Sequence, residues 1–216
     1  QNKLYRNFDT LINVWGVDHS GYVLRLKNSL AAINKKIKYE FKIKLTSLVN
    51  LLENKKILKM SKRSGNYVTL RDVVKRVGVD VLRFMMISRN AEKKIDFDFE
   101  IILKKNKENP VFYVQYAFAR CQSILSISKK RFNESIDFSS CNLSFLKLEE
   151  EKILIKYLCN FYNVVLTSAL TFEPHRITNY LYDLSKIFHT YWGLGNSDAK
   201  KKILLEKELL MPMREE

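Results

Sequence analysis

The sequence of 216 residues lacks most of the features that stabilise secreted proteins or build metal sites. It has three cysteines, Cys121, Cys141 and Cys159, and no C-x-x-C pair. An odd number of scattered cysteines argues against a disulfide framework and a zinc site, and favours reduced thiols. No secretory leader and no run of about 18 apolar residues is visible. We therefore expect a cytoplasmic protein without a membrane-spanning helix and without a structural metal.

Catalytic constellations built on acids or nucleophiles are also missing. No paired carboxylates, metal-ligand cluster or Ser-His-Asp set stands out. What is abundant is positive charge, with a formal net charge of +15. Such a charge favours a nucleic-acid partner, because cations that neutralise phosphates release counterions. Lysines outnumber arginines 27 to 11, so a biased genome composition is an alternative source of the charge.

The first third of the chain has the pattern of a parallel α/β sheet. Residues 11–16 form a short apolar run that ends at a glycine. Apolar side chains then recur every three or four residues, as in an amphipathic helix, at Val23, Leu26, Leu30 and Ile33. Residues 17–21 thus occupy the turn at the carboxyl end of a strand, where ligands bind in open α/β sheets.

A second strand and a polar loop follow. Apolar and polar side chains alternate over residues 37–46, which predicts a strand with one buried face. Residues 54–66 are rich in lysine and serine and read as a loop.

Helix-terminating residues organise the next segment. Thr69 and Asp72 have the spacing of a capping box that opens a helix. Gly78 is expected to end that helix, and Asp80 to cap the next one.

From about residue 100 the pattern is helical throughout. Asn109 and Pro110 resemble an N-cap followed by a first-turn proline. One apolar stripe comprises Ile153, Tyr157, Phe161 and Val165. Another comprises Ile177, Leu181, Leu184, Phe188 and Tyr191, in a helix expected to begin at Pro174 and to stop near Gly193 and Gly195.

These patterns predict a mainly α protein with a partial α/β segment. The expected division is an α/β piece over residues 1–66, a helical joint over 67–99 and a helical bundle over 100–216.

The most distinctive segment is the loop of residues 59–65, K-M-S-K-R-S-G. Its cationic and hydroxyl side chains precede a flexible glycine. A mobile basic loop of this kind can close over a polyphosphate and neutralise the charge that develops in a transition state. A solvated lysine-rich turn is the ordinary alternative for a bare K-x-x-K.

This loop closely resembles the KMSKS signature of class I aminoacyl-tRNA synthetases. Lys59, Ser61 and Lys62 match the signature by position, whereas Arg63 replaces its final serine. Further segments resemble the arginyl-tRNA synthetases in particular, in the same order along the chain: 15–22, 80–84, 95–99, 109–120, 173–176 and 180–184. The chain is thus similar to the C-terminal portion of that family. Its fold would be the last part of a Rossmann-type catalytic domain followed by an all-α anticodon-binding bundle.

The resemblance implies an activity and an ATP site. Arginyl-tRNA synthetases join arginine to tRNA(Arg) through an arginyl-adenylate and release AMP and pyrophosphate, with Mg²⁺ accompanying ATP. Carried over by position, the catalytic residues are Lys59 and Lys62. ATP-binding residues are Asp18, His19, Lys59, Met60, Ser61 and Lys62. A monomer is expected.

The tRNA-binding residues implied by the resemblance are Asn109, Tyr113, Tyr116 and Arg120. The last three lie three and four residues apart and share a helix face, where aromatic rings beside an arginine can stack on unpaired bases. An ordinary bundle core explains the tyrosines equally well. For His175 and His189 we expect a packing or surface role.

The HIGH signature of the family is absent from these 216 residues. Because that turn helps to hold the ATP phosphates, we expect this chain by itself not to catalyse the reaction. The main rival hypothesis is a non-catalytic RNA-binding module that retains only the function of the helical bundle, and a lesser rival is another class I synthetase of similar layout.

Overall fold

The computed structural model describes residues 6, 8–33, 39–60, 65, 67–104, 106, 108–132 and 142–204. The chain forms two compact units, Gln1–Ile102 with Ala169–His175 and Leu103–Ser168 with Arg176–Glu216. The strands are β1 Thr10–Gly16, β2 Glu40–Thr46, β3 Val49–Glu53, β4 Lys56–Ile57 and β5 Ile95–Asp98. The helices are α1 Val23–Ile33, α2 Leu70–Val77, α3 Val79–Ile87, α4 Phe99–Leu103, α5 Pro110–Phe132, α6 Glu149–Cys159, α7 Phe161–Thr171 and α8 His175–Ser197. This confirms the prediction of a mainly α protein with a partial α/β segment.

Strands β1 and β2 pair in parallel and form the predicted strand–helix–strand unit. Their register runs from Thr10 opposite Glu40 to Gly16 opposite Thr46. At the carboxyl end of the pair, the Thr46 hydroxyl donates a hydrogen bond of 3.1 Å to the Trp15 carbonyl. This bond fixes the point at which the chain leaves β1 for the turn over residues 17–22.

A second sheet, in the order β4-β3-β5, forms from segments that the sequence patterns did not identify as strands. Asn54 and Lys55, with φ of 51° and 60°, join β3 to β4 in a tight hairpin, so the predicted loop from residue 54 begins as a hairpin. Strand β5 pairs in parallel with β3. The predicted helical joint over 67–99 thus also contains the strand Ile95–Asp98, where pairing with a distant strand overrides the local pattern.

The core of the first unit lies between this sheet and helices α2 to α4. Phe97 and Phe99 have 0% and 1% of their surface exposed and meet edge to face, with ring centroids 5.4 Å apart. The other buried members are Leu51, Val73, Val77, Leu82 and Ile102. A core of this apolar content is stabilised mainly by removing hydrocarbon surface from water.

The caps of α2 and α3 confirm one prediction and correct another. Thr69 and Asp72 form the predicted capping box, with the Asp72 amide donating to the Thr69 hydroxyl at 3.1 Å and the Thr69 amide to Asp72 Oδ2 at 3.0 Å. The Asp72 carboxylate accepts hydrogen bonds from the Thr69 hydroxyl and from the Thr69 amide, and these bonds favour its ionised form and lower the pKa of Asp72. Asp80, however, does not cap α3. Gly78, at φ 85°, ends α2 and immediately precedes α3, so Asp80 falls inside the first turn.

Helix α8 in the second unit is longer than the sequence predicted. It begins at His175, one residue after the expected Pro174, and continues through Gly193 and Gly195 to Ser197. Glycine inside a helix costs about 1 kcal/mol relative to alanine but does not by itself end the helix. At Gly195 a Cβ would lie 3.1 Å from the Lys202 Cα, so the missing side chain lets the following segment approach.

Among the described residues, other side chains pack against only part of the apolar stripe predicted for residues 153–165. Tyr157 and Phe161 contact Tyr180, at ring distances of 4.8 and 5.3 Å. Ile153, Phe161 and Val165 each keep more than a third of their surface exposed, so the stripe is not buried along its length. A turn at Asn160 separates α6 from α7, where one continuous stripe was expected.

By length and composition, the stretch Glu149–Thr171 meets the criterion for a membrane-crossing helix, contrary to the sequence expectation. One such stretch does not identify a membrane protein, since core helices of soluble proteins meet the same criterion. It opens with three consecutive glutamates, Glu149, Glu150 and Glu151.

Candidate functional site

The turn after β1 borders an open cavity with aromatic walls. Residues Val17–Tyr22 form a short 3₁₀ helix that carries Asp18 and His19. The His19 ring lies 6.4 Å from the Trp15 ring and 6.1 Å from the Tyr22 ring. The cavity has a volume of about 580 Å³ and is lined by Trp15, His19, Tyr22, Arg25, Leu26 and Ser29. Ring faces next to a guanidinium suit a planar heterocycle that carries phosphates.

Asp18 and His19 are largely exposed and interact with each other. The distance from Asp18 Oδ2 to His19 Nε2 is 3.4 Å. An exposed pair of this kind contributes little to stability, so both side chains remain accessible to a ligand. A Cβ on Gly16 would collide with Asp18 Oδ1. The glycine that ends β1 therefore permits the present position of the Asp18 carboxylate.

The signature loop starts at the edge of the second sheet. Leu58 donates its amide to the Leu51 carbonyl at 2.8 Å and packs against the core of the first unit. Lys59 and Met60 follow immediately and are exposed. Ser61 and Lys62, and with them one of the two predicted catalytic lysines, lie outside the described residues.

In the second unit the predicted RNA-binding residues of α5 form an aromatic and cationic cluster. The Arg120 guanidinium lies 4.5 Å from the centroid of the Tyr116 ring and 4.7 Å from that of the Trp192 ring. Arg120 Nη2 also donates a hydrogen bond to the Tyr116 hydroxyl. Among the described residues no carboxylate pairs with Arg120, so its charge is available to a phosphate or a base. Tyr116 keeps 40% of its surface exposed.

Helix α8 supplies three side chains of this cluster that sequence reasoning did not assign to the site. Tyr182 lies 5.7 Å from Tyr113, His189 lies 4.6 Å from Tyr113 and 5.3 Å from Tyr116, and Trp192 covers Arg120. The three residues are spaced seven and three apart and so share one face of α8. Their spacing shows from the sequence that the three residues share a face, but it would have assigned them to the site only if that face were known to pack against α5.

Burial shifts the pKa of two members of the cluster. It raises the pKa of Tyr113, and the neighbouring Tyr182 raises it further. It lowers the pKa of His189, an effect that the Tyr113 carbonyl partly opposes and the Arg120 charge reinforces. The cluster thus contains the Arg120 guanidinium among aromatic rings, and the Lys186 ammonium lies 4.2 Å from the centroid of the Tyr182 ring.

Asn109 has a structural role that the resemblance did not imply. It is 5% exposed, its Oδ1 accepts from the amides of Val111 and Phe112 at 3.0 and 3.3 Å, and its Nδ2 donates to the Lys104 carbonyl at 2.9 Å. Asn109 is therefore the N-cap of α5, and its direct contact with RNA stays a prediction.

Among the described residues no group of three or more His, Cys, Asp or Glu side chains could hold a metal ion. The side chains of the described sites offer ring stacking, hydrogen bonding and positive charge for phosphates.

Two family models match the chain. The model described as "tRNA synthetases class I (K)" matches residues 16–134, more than half of the chain, and a DALR anticodon binding domain matches residues 114–212. The chain therefore belongs to the class I tRNA synthetases.

Within that class the similar proteins are arginine–tRNA ligases. One from Wolbachia pipientis subsp. Culex pipiens is 42% identical over 208 residues, which cover 96% of this chain and 36% of that protein. One from Parvibaculum lavamentivorans is 43% identical over 206 residues, covering 94% of this chain and 35% of that protein. These relatives confirm the resemblance to arginyl-tRNA synthetases, and the chain spans about a third of their length.

One solved structure agrees with this assignment, and a second shares the fold. A Campylobacter jejuni protein described as an arginyl-tRNA synthetase has a TM-score of 0.77 and 28% identity, and the match covers 89% of this chain and 41% of that one. The Thermus thermophilus arginyl-tRNA synthetase shares the fold at 23% identity, with a TM-score of 0.57, over 85% of this chain and 33% of that one.

Proposed function

We propose that this chain is part of an ATP-dependent arginine–tRNA ligase. The observation that carries the proposal is the matching of a class I synthetase model and an anticodon-binding model along a single chain whose basic loop reads K-M-S-K. In the proposed reaction the arginine carboxylate attacks the α-phosphate of ATP, giving arginyl-adenylate and pyrophosphate. A ribose hydroxyl of the terminal adenosine of tRNA(Arg) then attacks the arginyl carbonyl and displaces AMP.

The adenosine of ATP would bind in the cavity after β1. The Trp15, His19 and Tyr22 rings offer stacking surfaces, and the exposed Asp18 and His19 offer hydrogen bonds to the ribose or the base. Because β1 and β2 run in parallel, this cavity lies at the carboxyl end of the sheet, the usual ligand position in α/β folds.

The loop of residues 59–65 would act on the phosphates. Leu58 is held by its hydrogen bond to Leu51, which gives the loop a fixed start next to exposed Lys59 and Met60. In the proposed role, Lys59 and Lys62 carry positive charge to the departing pyrophosphate, and Ser61 donates a hydrogen bond. Mg²⁺ would accompany ATP as part of the substrate and supply further neutralising charge on the phosphates.

Tyr113, Tyr116 and Arg120 would contact unpaired bases of the tRNA, with Asn109 acting indirectly as the cap of their helix. Support comes from the half-exposed Tyr116 ring and from an Arg120 guanidinium that no described carboxylate neutralises. The net charge of +15 favours association with the RNA backbone. We further propose a monomeric, cytoplasmic enzyme.

The catalytic part is tested by Lys62→Ala in the full-length enzyme. A contact made mainly in the transition state lowers kcat rather than raising KM, so pyrophosphate exchange should slow by about a hundredfold with little change in the KM for arginine. Lys56→Ala, which removes an exposed strand lysine shortly before the loop, is the matched control and should leave the rate unchanged. An undiminished rate for Lys62→Ala would refute the role of the loop.

A non-catalytic RNA-binding module is the second candidate, favoured by the charge and by the aromatic face on α5. The two candidates separate when the 216-residue chain and the full-length enzyme are assayed together. Binding of tRNA(Arg) by the chain, with the full-length protein inactive in pyrophosphate exchange, would favour the module. Affinity should fall with salt at a slope of about 0.7 to 0.9 per neutralised phosphate, and salt-independent binding contradicts both.

A further inference from the structure

One side chain in the aromatic cluster of α5 and α8, His189, has no role in the proposed function as stated so far. Its ring is 4.6 Å from the Tyr113 ring and stacks on Tyr116 at 5.3 Å with 25° between the planes. It is half-buried, next to the buried Phe188 of its own helix. A histidine that contacts both tyrosines proposed to bind RNA can determine the orientation of their rings.

The polar contact of His189 selects the tautomer of its neutral ring. Its Nε2 lies 3.4 Å from the Tyr113 carbonyl oxygen, which can only accept a hydrogen bond. Nε2 is therefore the protonated nitrogen of the neutral ring, and Nδ1 is the bare one. The titratable or charged groups that face the ring are Tyr113, Tyr116 and Arg120, all on α5, so a second proton on Nδ1 would add a cation beside the Arg120 guanidinium.

Tyr116 is held from several sides, and His189 is the only constraint that comes from another helix among the described contacts of its ring. Phe112 stacks on Tyr116 from the preceding turn, at 5.8 Å and 8°, and Arg120 lies over it from the following turn. Phe112 and Arg120 lie on the same helix as Tyr116 and do not fix its ring relative to α8. His189 lies on α8 and contacts the ring directly. Arg120 is in turn held between Tyr116 and Trp192 of α8.

We infer that His189 is a positioning residue: by stacking on Tyr116 while donating to the Tyr113 carbonyl, it sets the Tyr116 ring and the adjoining Arg120 guanidinium in the orientation that stacks on an unpaired RNA base. This inference rests on the proposed RNA-binding role of the α5 face. It assigns to His189 no contact with RNA, only the orientation of groups that make one.

The test measures binding of the 216-residue chain to the anticodon stem–loop of an arginine tRNA. His189→Ala should weaken binding by about tenfold, in the range expected for one lost base–aromatic stack. His189→Phe keeps the ring without the donor, and His189→Gln keeps a donor without the ring, so each should recover part of the loss. Thr190→Ala is the matched control on the same helix, because among the described residues that hydroxyl bonds only to the Lys186 carbonyl of its own turn. This variant should bind as the unaltered chain does.

A double-mutant cycle separates positioning from a general structural effect. If His189 acts through Tyr116, then His189→Ala should cause no further loss of RNA affinity in a Tyr116→Ala background. If His189→Ala lowers RNA affinity equally with Tyr116 present and in the Tyr116→Ala background, the inference is overturned. Full RNA affinity of the His189→Ala single variant overturns it as well. Should His189→Ala fail to fold, the same cycle is run with His189→Gln.

A spectroscopic measurement on the unaltered chain tests the geometry without any variant. Nitrogen-15 NMR at pH 7 should find His189 neutral with its proton on Nε2, and a charged ring or a proton on Nδ1 overturns the inference. If the unaltered chain does not bind the stem–loop, the proposed RNA role fails and this inference with it. If it binds and the His189 variants bind equally well, only the positioning role fails.

Discussion

The two compact units of this chain are stabilised by different means. In the first unit the described buried residues are apolar except for Asp98, with Phe97 and Phe99 the most deeply buried. In the second unit apolar buried residues such as Val111 and Phe188 are joined by several polar ones, namely Asn109, Ser128, Ser168, Thr178 and Ser185. The comparison indicates that the first unit depends on hydrophobic burial, and the second more on caps, hydroxyl bonds within helices and stacked rings.

The candidate site residues follow the same division. In the first unit Asp18, His19 and Lys59 lie on turns and loops that leave the ends of strands, so a rigid sheet holds each starting point. In the second unit Tyr113, Tyr116 and Arg120 lie on a helix face and are oriented by their neighbours on α8. In the first unit the site residues should therefore lose their positions when the core is disrupted. In the second unit the loss of a single contact should be enough to displace a site residue.

The largest effect is expected for Phe97→Ala. Removing a fully buried phenylalanine side chain costs about 3–5 kcal/mol, through lost transfer free energy and the cavity left behind. Hydrogen exchange, which resolves the two units, should show lost protection in the first unit while the second keeps its own. The matched control is Phe118→Ala, since that ring is 65% exposed. Equal destabilisation by the two variants would remove the proposed contrast between the units.

In the second unit a cap should matter more than any one apolar side chain on its surface. Asn109→Ala removes the acceptor for two amides and the donor to Lys104, and should lower the free energy of unfolding by about 1–2 kcal/mol. Asn109→Asp keeps the acceptor and should cost less. Urea unfolding followed by the helical circular dichroism signal measures both, and an Asn109→Ala variant as stable as the parent contradicts the capping role.

A small gain is expected at the hairpin that precedes the basic loop. Lys55 has φ of 60°, a left-handed conformation that glycine adopts without penalty from a Cβ. Lys55→Gly should therefore stabilise the first unit by about 0.5–1 kcal/mol. Lys56→Gly, in the adjacent strand, should instead destabilise the first unit. Thermal unfolding of both variants measures the sign of each change in stability.

The smallest effect concerns pH and should appear only in the second unit. Burial and Arg120 lower the folded-state pKa of His189 below its ordinary value of 6.5. The unfolded chain then binds more protons than the folded chain in the window just below pH 6.5. The stability from neutral His189 is thus fully present above pH 6.5 and is lost as pH falls toward the folded pKa. Urea midpoints measured between pH 5 and 7.5 should show this slope in the parent and not in His189→Gln, and an unchanged slope in the variant contradicts it.

Much of this fold was predictable because its determinants are local. The apolar run before Gly16 and the stripe from Val23 to Ile33 predicted β1, α1 and the parallel arrangement completed by β2. Thr69 with Asp72, and Asn109 with Pro110, predicted two helix starts correctly, since a cap uses residues only two or three positions apart. The K-M-S-K loop and the ordered motifs around it were enough to indicate the family.

What the sequence did not determine depends on partners distant along the chain. Ile95–Asp98 became a strand because β3 lies beside it, and α8 ran past two glycines although local propensity disfavours them. Periodicity predicts that Ile153 and Val165 share a face of their segment, but it does not predict which residues cover that face, and both side chains are exposed.

The site divides in the same way. From the sequence alone, Tyr113, Tyr116 and Arg120 share a helix face, because three- and four-residue spacing is a property of the helix itself. Only the packing of α8 against α5 brought His189 and Trp192, some seventy residues later, to those side chains. Stacking and desolvation act between groups in space, and which groups meet is decided when the helices pack.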